Sequence, residues 1–361
     1  MITISLCMIV RNEEEVLAEC LKSVSDLCDE IIIVDTGSTD KTEKIAKGFT
    51  EHLFHYKWTD DFAAARNYAF EQATQDYILW LDADDILLPD DRQKMKDLKG
   101  ALSFDVDAVA MLYHLAFDEE NKPTFSSRRH RLVKRDRHFK WHGPVHEYLE
   151  VGGHIIESDI AIKHNKSRKQ THHEQSDRNI KIYEKRLEKG EEFSPRDLFY
   201  FANELKDHAR FENAIAYYAQ FLQSKKGWVE DEIRACLSIA ECYKHLNIEE
   251  SELEALILTM KFDTPRPEAA CKIGDIYKEK NDFNKAIFWY QLATTLEEPT
   301  HFNFKDESYT TWYPHIQLCY CYWQNGNENQ SYFHHCKAKE YRPNDSRVNH
   351  NELFFKENYI K

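Results

Sequence analysis

The chain has 361 residues, a formal net charge of −15, and 42% apolar and 13% aromatic residues. That apolar content excludes wholesale disorder, and the acidic balance argues against a nucleic-acid partner, which needs a basic phosphate-facing surface. At about 150 residues per domain the length suits two domains. Nine cysteines without a CxxC pair read as reduced, mostly buried thiols of a cytoplasmic protein.

Residues 2–10 are a short β-branched apolar run, which predicts a buried strand. The run lacks a basic flank and a cleavage site, so it does not read as a signal peptide. The spacing of Val16, Leu17, Cys20, Leu21 and Val24 predicts a helix over 13–25. A second strand follows at 30–34, then a turn over 35–40 in which Ser38, Thr39 or Asp40 can cap a helix at 41–47. A strand at 53–56, a helix at 62–73 and a strand at 77–81 complete the alternation. This βαβαβαβ order predicts an α/β doubly wound, mostly parallel sheet, with ligands at the carboxyl ends of its strands. The polar clusters 11–14, 35–40 and 82–85 fall at those ends. Another strand is expected at 108–117, short strands over 118–165, and a helix at 173–189 ended by Gly190.

Beyond that point the pattern is helical. Gly274, Tyr277, Ala286, Tyr290, Ala293 and Pro299 follow the small–aromatic spacing of the 34-residue tetratricopeptide repeat. Ala202, Ala214 and Tyr218 fit the same frame, as do Cys319, Tyr322, Ala338 and Pro343, and Ala240 with Tyr243. One helix pair cannot bury its apolar face alone, so about four stacked pairs are expected over 196–345, a generic helical bundle being the alternative. The expected domains are 1–168, a helical linker at 169–195, and an all-α repeat domain at 196–361. No run of 18 apolar residues appears, so no stable membrane insertion is expected.

The sharpest chemical signal is Ile78-Leu79-Trp80-Leu81-Asp82-Ala83-Asp84-Asp85, a buried strand that delivers two carboxylates at i and i+2 into a turn. Charges at a buried strand end need partners or solvent. A divalent cation bridging them to a diphosphate meets that need; a helix cap ahead of Pro89, made by Asp84 or Asp85, is the other reading. The run Arg128, Arg129, His130, Arg131, Lys134, Arg135, Arg137, His138, Lys140 is either a solvated face or a site for an anionic group.

Four pieces together resemble glycosyltransferase family 2: Cys7 to Glu13, Ile31 to Asp40, Ala64-Ala65-Arg66-Asn67, and Trp80 to Asp85. They occur in the order and at the separations usual for that family. The repeat-bearing second half looks like a subgroup that includes peptide S-glycosyltransferases modifying bacteriocins such as sublancin. The resemblance implies the GT-A fold over roughly residues 1–165, a UDP-sugar donor and Mn²⁺ or Mg²⁺. Asp82 and Asp84 would form the DxD motif, with Asp84 on the metal and Asp82 on the metal or ribose. Asp35 would accept the uracil N–H, unless it merely caps its turn. The loop Val10, Arg11, Asn12, Glu13, Glu14 would wrap the uridine. Arg66 would meet the diphosphate or pair with a nearby carboxylate. His164, or else His146, would supply a third metal ligand, a set that favours manganese.

The resemblance also implies inversion of configuration, and an inverting displacement needs a base for the acceptor proton. Glu147, in the segment Trp141-His142-Gly143-Pro144-Val145-His146-Glu147, is the best-placed carboxylate, ahead of Asp118 and Asp136, with a salt bridge to the basic run as its alternative role. A thiol acceptor would lower the demand on that base. Arg129 and Arg131 could contact the diphosphate or the acceptor. The favoured reading is hexose transfer to a Ser, Thr or Cys side chain of a peptide or protein acceptor presented by the repeats, a surface that could instead join two copies as a homodimer. Transfer to a cell-surface glycan or lipid-linked sugar, and a non-catalytic repeat scaffold, are the other readings.

Overall fold

A computed structural model describes residues 1–117, 123–165, 172–297 and 306–359; Asp118 and Pro299 lie outside them. The chain divides into two compact units, Met1–Glu191 and Glu192–Lys361.

In the first unit the elements run β1 (Ile4–Val10), α1 (Leu17–Val24), β2 (Glu30–Asp35), α2 (Thr42–Ala46), β3 (Leu53–His55), α3 (Phe62–Glu71) and β4 (Tyr77–Trp80). They continue as β5 (Asp85–Leu87), α4 (Pro89–Ala101), β6 (Ala108–Phe117), β7 (Pro123–Lys134), β8 (Lys140–His142), β9 (Tyr148–Glu150), β10 (Ile155–His164) and α5 (His172–Glu188). One sheet has the order β3-β2-β1-β4-β7-β6-β10-β5, and β8 and β9 pair separately. The first four positions are parallel, as the βα alternation predicts. From β7 onward the sheet is mixed: β7 is antiparallel to both neighbours, β10 is parallel to β6, and β5 is antiparallel to β10.

Both faces of the parallel half are covered, so its strands are apolar throughout rather than alternating. Ile4, Leu6 and Met8 pack with Ile33 and Leu79 against Leu17, Leu21 and Val24 of α1 and Met95 of α4. Cys7, Ile32, Val34 and Ile78 pack on the other side with Ala69 and Ala73. The small residues of α3 let that helix approach the sheet closely. Two boundaries differ from the sequence pattern. The first helix begins at Leu17 rather than 13, because Glu13 and Glu14 donate their backbone N–H groups to the Thr42 hydroxyl and the Asp40 carboxylate instead of to a helix. After the acidic turn the chain enters the short strand β5 before α4, whose Pro89 lies in its first turn.

In the second unit the helices are α6 (Pro195–Asp207), α7 (Phe211–Ser224), α8 (Val229–His245), α9 (Glu249–Leu258), α10 (Pro267–Glu279), α11 (Phe283–Thr295), α12 (Trp312–Gln324), α13 (Glu328–Tyr341) and α14 (Ser346–Asn358). They form successive pairs α6/α7, α8/α9, α10/α11 and α12/α13, with α14 packed on the last. Every intra-pair turn carries one left-handed residue two positions before the second helix: Ala209 (φ 56°), Asn247 (58°), Asn281 (60°) and Gly326 (73°). Asparagine and glycine tolerate that region; alanine does so only at a cost. The small–aromatic pattern is also explained. A Cβ on Gly274 would lie 2.8 to 3.0 Å from the Tyr290 ring, and the Tyr290 hydroxyl donates to Asp275 Oδ1 at 2.6 Å. Tyr218 makes the equivalent bond to Asn203 Oδ1 at 2.5 Å, with the same 15-residue separation in sequence. Asp275 also accepts from Tyr313 of the next pair, at 2.9 and 2.8 Å.

Two substitutions probe this packing. Gly274→Ala forces a methyl into a ring fixed by its hydroxyl and should lower stability by about 1–2 kcal/mol, seen as a lower urea midpoint. Ala209→Gly relieves a left-handed alanine and should raise stability by about 0.5–1 kcal/mol; a drop instead would contradict the turn argument.

Candidate active site

The site is built on the tip of β4. Beneath the tip lies a fully buried ion pair, Arg131 Nη1 to Asp85 Oδ2 at 2.9 Å, with neither side chain exposed. Arg131 also donates to the Trp80 carbonyl at 3.3 Å and lies over the rings of Trp80 (3.9 Å) and Tyr113 (4.6 Å). The same Asp85 oxygen accepts the backbone N–H of Asp82 at 2.9 Å, which closes the acidic turn. Burial pushes the Asp85 carboxyl up to about 6, against the pull of Arg131. Arg131 was expected at the diphosphate; having no exposed surface, it supports the turn from below.

Asp82 and Asp84 diverge from that turn. Asp82 Oδ1 accepts from Arg66 Nη2 at 2.6 Å, and Arg66 Nε donates to Glu147 Oε1 at 2.7 Å. Burial opposes ionisation of Asp82, but Arg66 and then Arg131 hold its carboxyl far below the ordinary range. Arg66 sits between Trp80 and Trp141, 5.2 and 4.8 Å from their ring centres. Its neighbour Asn67 clamps Trp141, donating to its carbonyl at 2.9 Å and accepting its N–H at 2.8 Å. The segment 64–67 thus positions a charged bridge and locks β8 to α3. For Glu147 the salt-bridge partner is Arg66 and not the basic run.

Asp84 turns toward β10. His164 Nδ1 lies 3.5 Å from Asp84 Oδ2 and 3.1 Å from the Tyr113 hydroxyl. The strand pairing places His164 opposite Asp85, and Asn165 N–H donates to the Asp84 carbonyl at 2.7 Å. The bond to Asp84 raises the His164 pKa. Asp84, Asp85 and His164 each offer a ligand atom within 4.8 Å of the others. Two carboxylates and an imidazole suit Mn²⁺ or Mg²⁺. Asp85 Oδ1 is buried without a hydrogen-bond partner, so the residues fit a cation. Among the described residues His146, with φ 51°, and Asp82 belong to no such group.

The loops after β1 and β2 are stitched together. Asn12 Oδ1 accepts from Thr39 N–H at 2.8 Å, Ser38 Oγ accepts from Asn12 N–H at 3.0 Å, and Glu14 Oε2 accepts from Lys41 N–H at 3.1 Å. The Val10 carbonyl accepts both the N–H and the hydroxyl of Thr36. Asn12 and Glu14 therefore shape the loop pair, while Arg11 is exposed on it. Asp35 is 2% exposed; its Oδ1 caps the turn by accepting from Gly37 and Ser38 N–H at 2.8 and 2.9 Å. Its Oδ2 is buried and unpartnered. Asp35, Glu43 and His55 form a second acidic group at this edge.

The basic run is not one surface, because strand alternation and the following turn disperse it. Arg128 pairs with Glu157 at 3.3 Å, Arg135 donates to the Gln75 carbonyl at 2.6 Å, and Arg137 pairs with Asp107 at 3.3 Å. Arg129, like the buried Arg131, stands over Tyr113, 4.7 Å from its ring centre. Tyr113 lies in none of the sequence motifs, and the packing of Trp80 and Asn67 around Arg66 and the inward pairing of Asp85 have no sign in the local pattern. The i, i+2 placement of Arg129 and Arg131 was a usable sign that both face one side of their strand.

The fold and this edge define a GT-A-type glycosyltransferase domain. The chain belongs to glycosyl transferase family 2: residues 5–187 match that family's model, and residues 267–300 match a tetratricopeptide repeat. A glycosyltransferase of Bacillus subtilis, SPbeta prophage-derived SunS, is 32% identical over 233 residues, covering 62% of this chain and 54% of its own. A TPR repeat-containing protein of Synechococcus elongatus is 40% identical over 153 residues, covering 42% of this chain and 36% of its own. The chain thus spans about a third to a half of the length of these curated relatives. Among solved structures, the glucosyl-3-phosphoglycerate synthase of Mycobacterium tuberculosis with Mg²⁺ and UDP is 22% identical over 31% of this chain and 44% of its own, with a TM-score of 0.27.

The buried pair makes a separable prediction. Arg131→Met strands Asp85 in the interior and should cost about 3 kcal/mol in urea unfolding, whereas Arg129→Gln at an exposed position should stay within about 0.5 kcal/mol of the parent. Equal effects would show that the pair does not hold the turn.

Proposed function

We propose that this glycosyltransferase moves a hexose, with inversion, from a UDP-sugar to a Ser, Thr or Cys side chain of a peptide or protein acceptor, using Mn²⁺ or Mg²⁺. The convergence of Asp84, Asp85 and His164 on one point at the end of β4 carries this reading. A bound divalent cation there supplies charge neutralisation for the departing diphosphate. Asp35 supports a uracil base, since its buried free oxygen is an acceptor that needs an N–H donor. Arg66 bridges Asp82 and Glu147 by one guanidinium, and in this reading Asp82 serves the nucleotide while Glu147 takes the acceptor proton.

The repeats are the acceptor-presenting surface in this reading, by analogy with other helical arrays that hold peptides; contact between two copies is the competing use of the same surface. No helix among the described residues is long and apolar enough to cross a membrane, and the cysteines are free and mostly buried. Both fit a cytoplasmic enzyme with a reducing environment. A saccharide acceptor is the second reading. It draws on the 28% identity, over 161 residues, to the lipopolysaccharide core biosynthesis glycosyltransferase LpsC of Rhizobium meliloti.

The test is UDP release from a panel of UDP-sugars with Mn²⁺, alone and with peptides or oligosaccharides. Metal-dependent release should fall about 100-fold or more in Asp84→Ala. Stimulation by peptides supports the first reading, and stimulation by oligosaccharides alone moves the assignment to the second. Undiminished release by Asp84→Ala would remove the basis of both.

A further inference from the structure

Tyr113 stands at the centre of the site yet belongs to none of its sequence motifs. It is 4% exposed, on β6, and its strand pairs with β10 so that Ile162 lies opposite it. His164 follows two residues later on the same face. The Tyr113 hydroxyl meets His164 Nδ1 at 3.1 Å, and the two rings meet edge to face with centres 6.0 Å apart. Two guanidinium groups lie over the Tyr113 ring, Arg131 at 4.6 Å and Arg129 at 4.7 Å. Arg131 is committed to Asp85. Arg129 is exposed and makes no ion pair among the described residues. Its charge is nonetheless close enough to help lower the Asp82 carboxyl.

We propose that Tyr113 positions two ligand-binding groups at once: its hydroxyl sets the His164 imidazole beside Asp84 for the cation, and its ring holds the Arg129 guanidinium for the nucleotide phosphates. The inference rests on the metal and UDP-sugar reading above and deepens it. The hydroxyl and Asp84 meet the same imidazole nitrogen, Nδ1, so the cation falls to Nε2, with Tyr113 fixing the rotation of the ring from its other nitrogen, and such outer hydrogen bonds bring a measurable gain in metal affinity. An arginine stacked on an aromatic ring loses less freedom when it meets a phosphate, and it keeps its fork of donors directed outward. The order of residues makes the division of labour specific. Arg131 and Arg129 are two apart on β7, so one Tyr113 ring serves an inner cation that supports the acidic turn and an outer cation that is free for a ligand.

The experiment uses the full chain and two equilibrium titrations. Mn²⁺ alone is followed by the electron paramagnetic resonance signal of the free ion, and UDP is followed by calorimetry at saturating Mn²⁺. Tyr113→Phe keeps the ring and removes the hydroxyl; its Mn²⁺ affinity should fall about tenfold while UDP affinity at saturating Mn²⁺ stays within about twofold. Arg129→Gln should do the reverse, keeping Mn²⁺ affinity and weakening UDP about tenfold. Parent-like circular dichroism and melting in both variants keep the comparison free of unfolding. Parent-like Mn²⁺ affinity in Tyr113→Phe, or parent-like UDP affinity in Arg129→Gln, would overturn the proposal. The parent and Asp84→Ala separate the two levels. If the parent binds neither Mn²⁺ nor UDP, the sugar-nucleotide reading falls and this inference with it. If the parent binds both and Asp84→Ala loses Mn²⁺, that reading stands and the Tyr113 and Arg129 variants alone decide.

Discussion

A carboxylate and a guanidinium with no exposure to water, Asp85 and Arg131, lie under the end of a buried strand, and the geometry of the acidic turn follows from them. Removing two charges from water is costly, and the cost is offset only when geometry and additional hydrogen bonds are good. Here the pair is joined by the Trp80 carbonyl, the Asp82 N–H and the faces of two aromatic rings, while Asp85 Oδ1 and Arg131 Nε and Nη2 stay buried without a hydrogen-bond partner. Because Asp85 is drawn inward, the two remaining carboxylates of the turn must leave in different directions. Asp82 goes to Arg66 and Asp84 to His164. A turn of three acids, which would repel one another if they pointed the same way, is thereby divided: Asp85 pairs inward with Arg131, Asp82 meets Arg66, and Asp84 meets His164.

The same logic organises the rest of the edge. Backbone N–H groups left over where β1 and β2 end are satisfied by side chains of the opposite loop, which ties the two loops into one wall. Within that wall Asp35 spends one oxygen on its own turn and keeps the other buried and unpaired. Buried acceptors without donors are rare because they cost free energy. Asp35 Oδ2 is one, at the carboxyl end of a parallel strand.

In the repeat unit the constraint is steric. Each pair of helices turns through one left-handed residue, and in the third pair the approach is so close that a Cβ on Gly274 would meet the Tyr290 ring. The tyrosine hydroxyl then needs an acceptor, and Asn203 or Asp275 supplies it. Asp275 links further to Tyr313, so the polar bonds run from one pair to the next and fix the stacking.

Much of this was legible in the residue order. Apolar runs and βα alternation set out the parallel half of the sheet, since strands covered on both faces must be apolar throughout. The spacing of small and aromatic residues set out the helix pairs, the tip of β4 stood out as a candidate site because strand ends deliver polar groups to one edge, and Asp35 entered through the resemblance to family 2. Local pattern could not show which partner each charge would take. That Arg131 lies inward and Arg129 outward, that Arg66 bridges Asp82 to Glu147, 65 residues further along the chain, and that Tyr113 meets His164 across 51 residues are consequences of strand pairing and of helix α3 packing on the sheet. Sequence determines which groups reach an edge; only the packed fold decides which are buried, and the free energy of an unpaired buried charge then selects their partners.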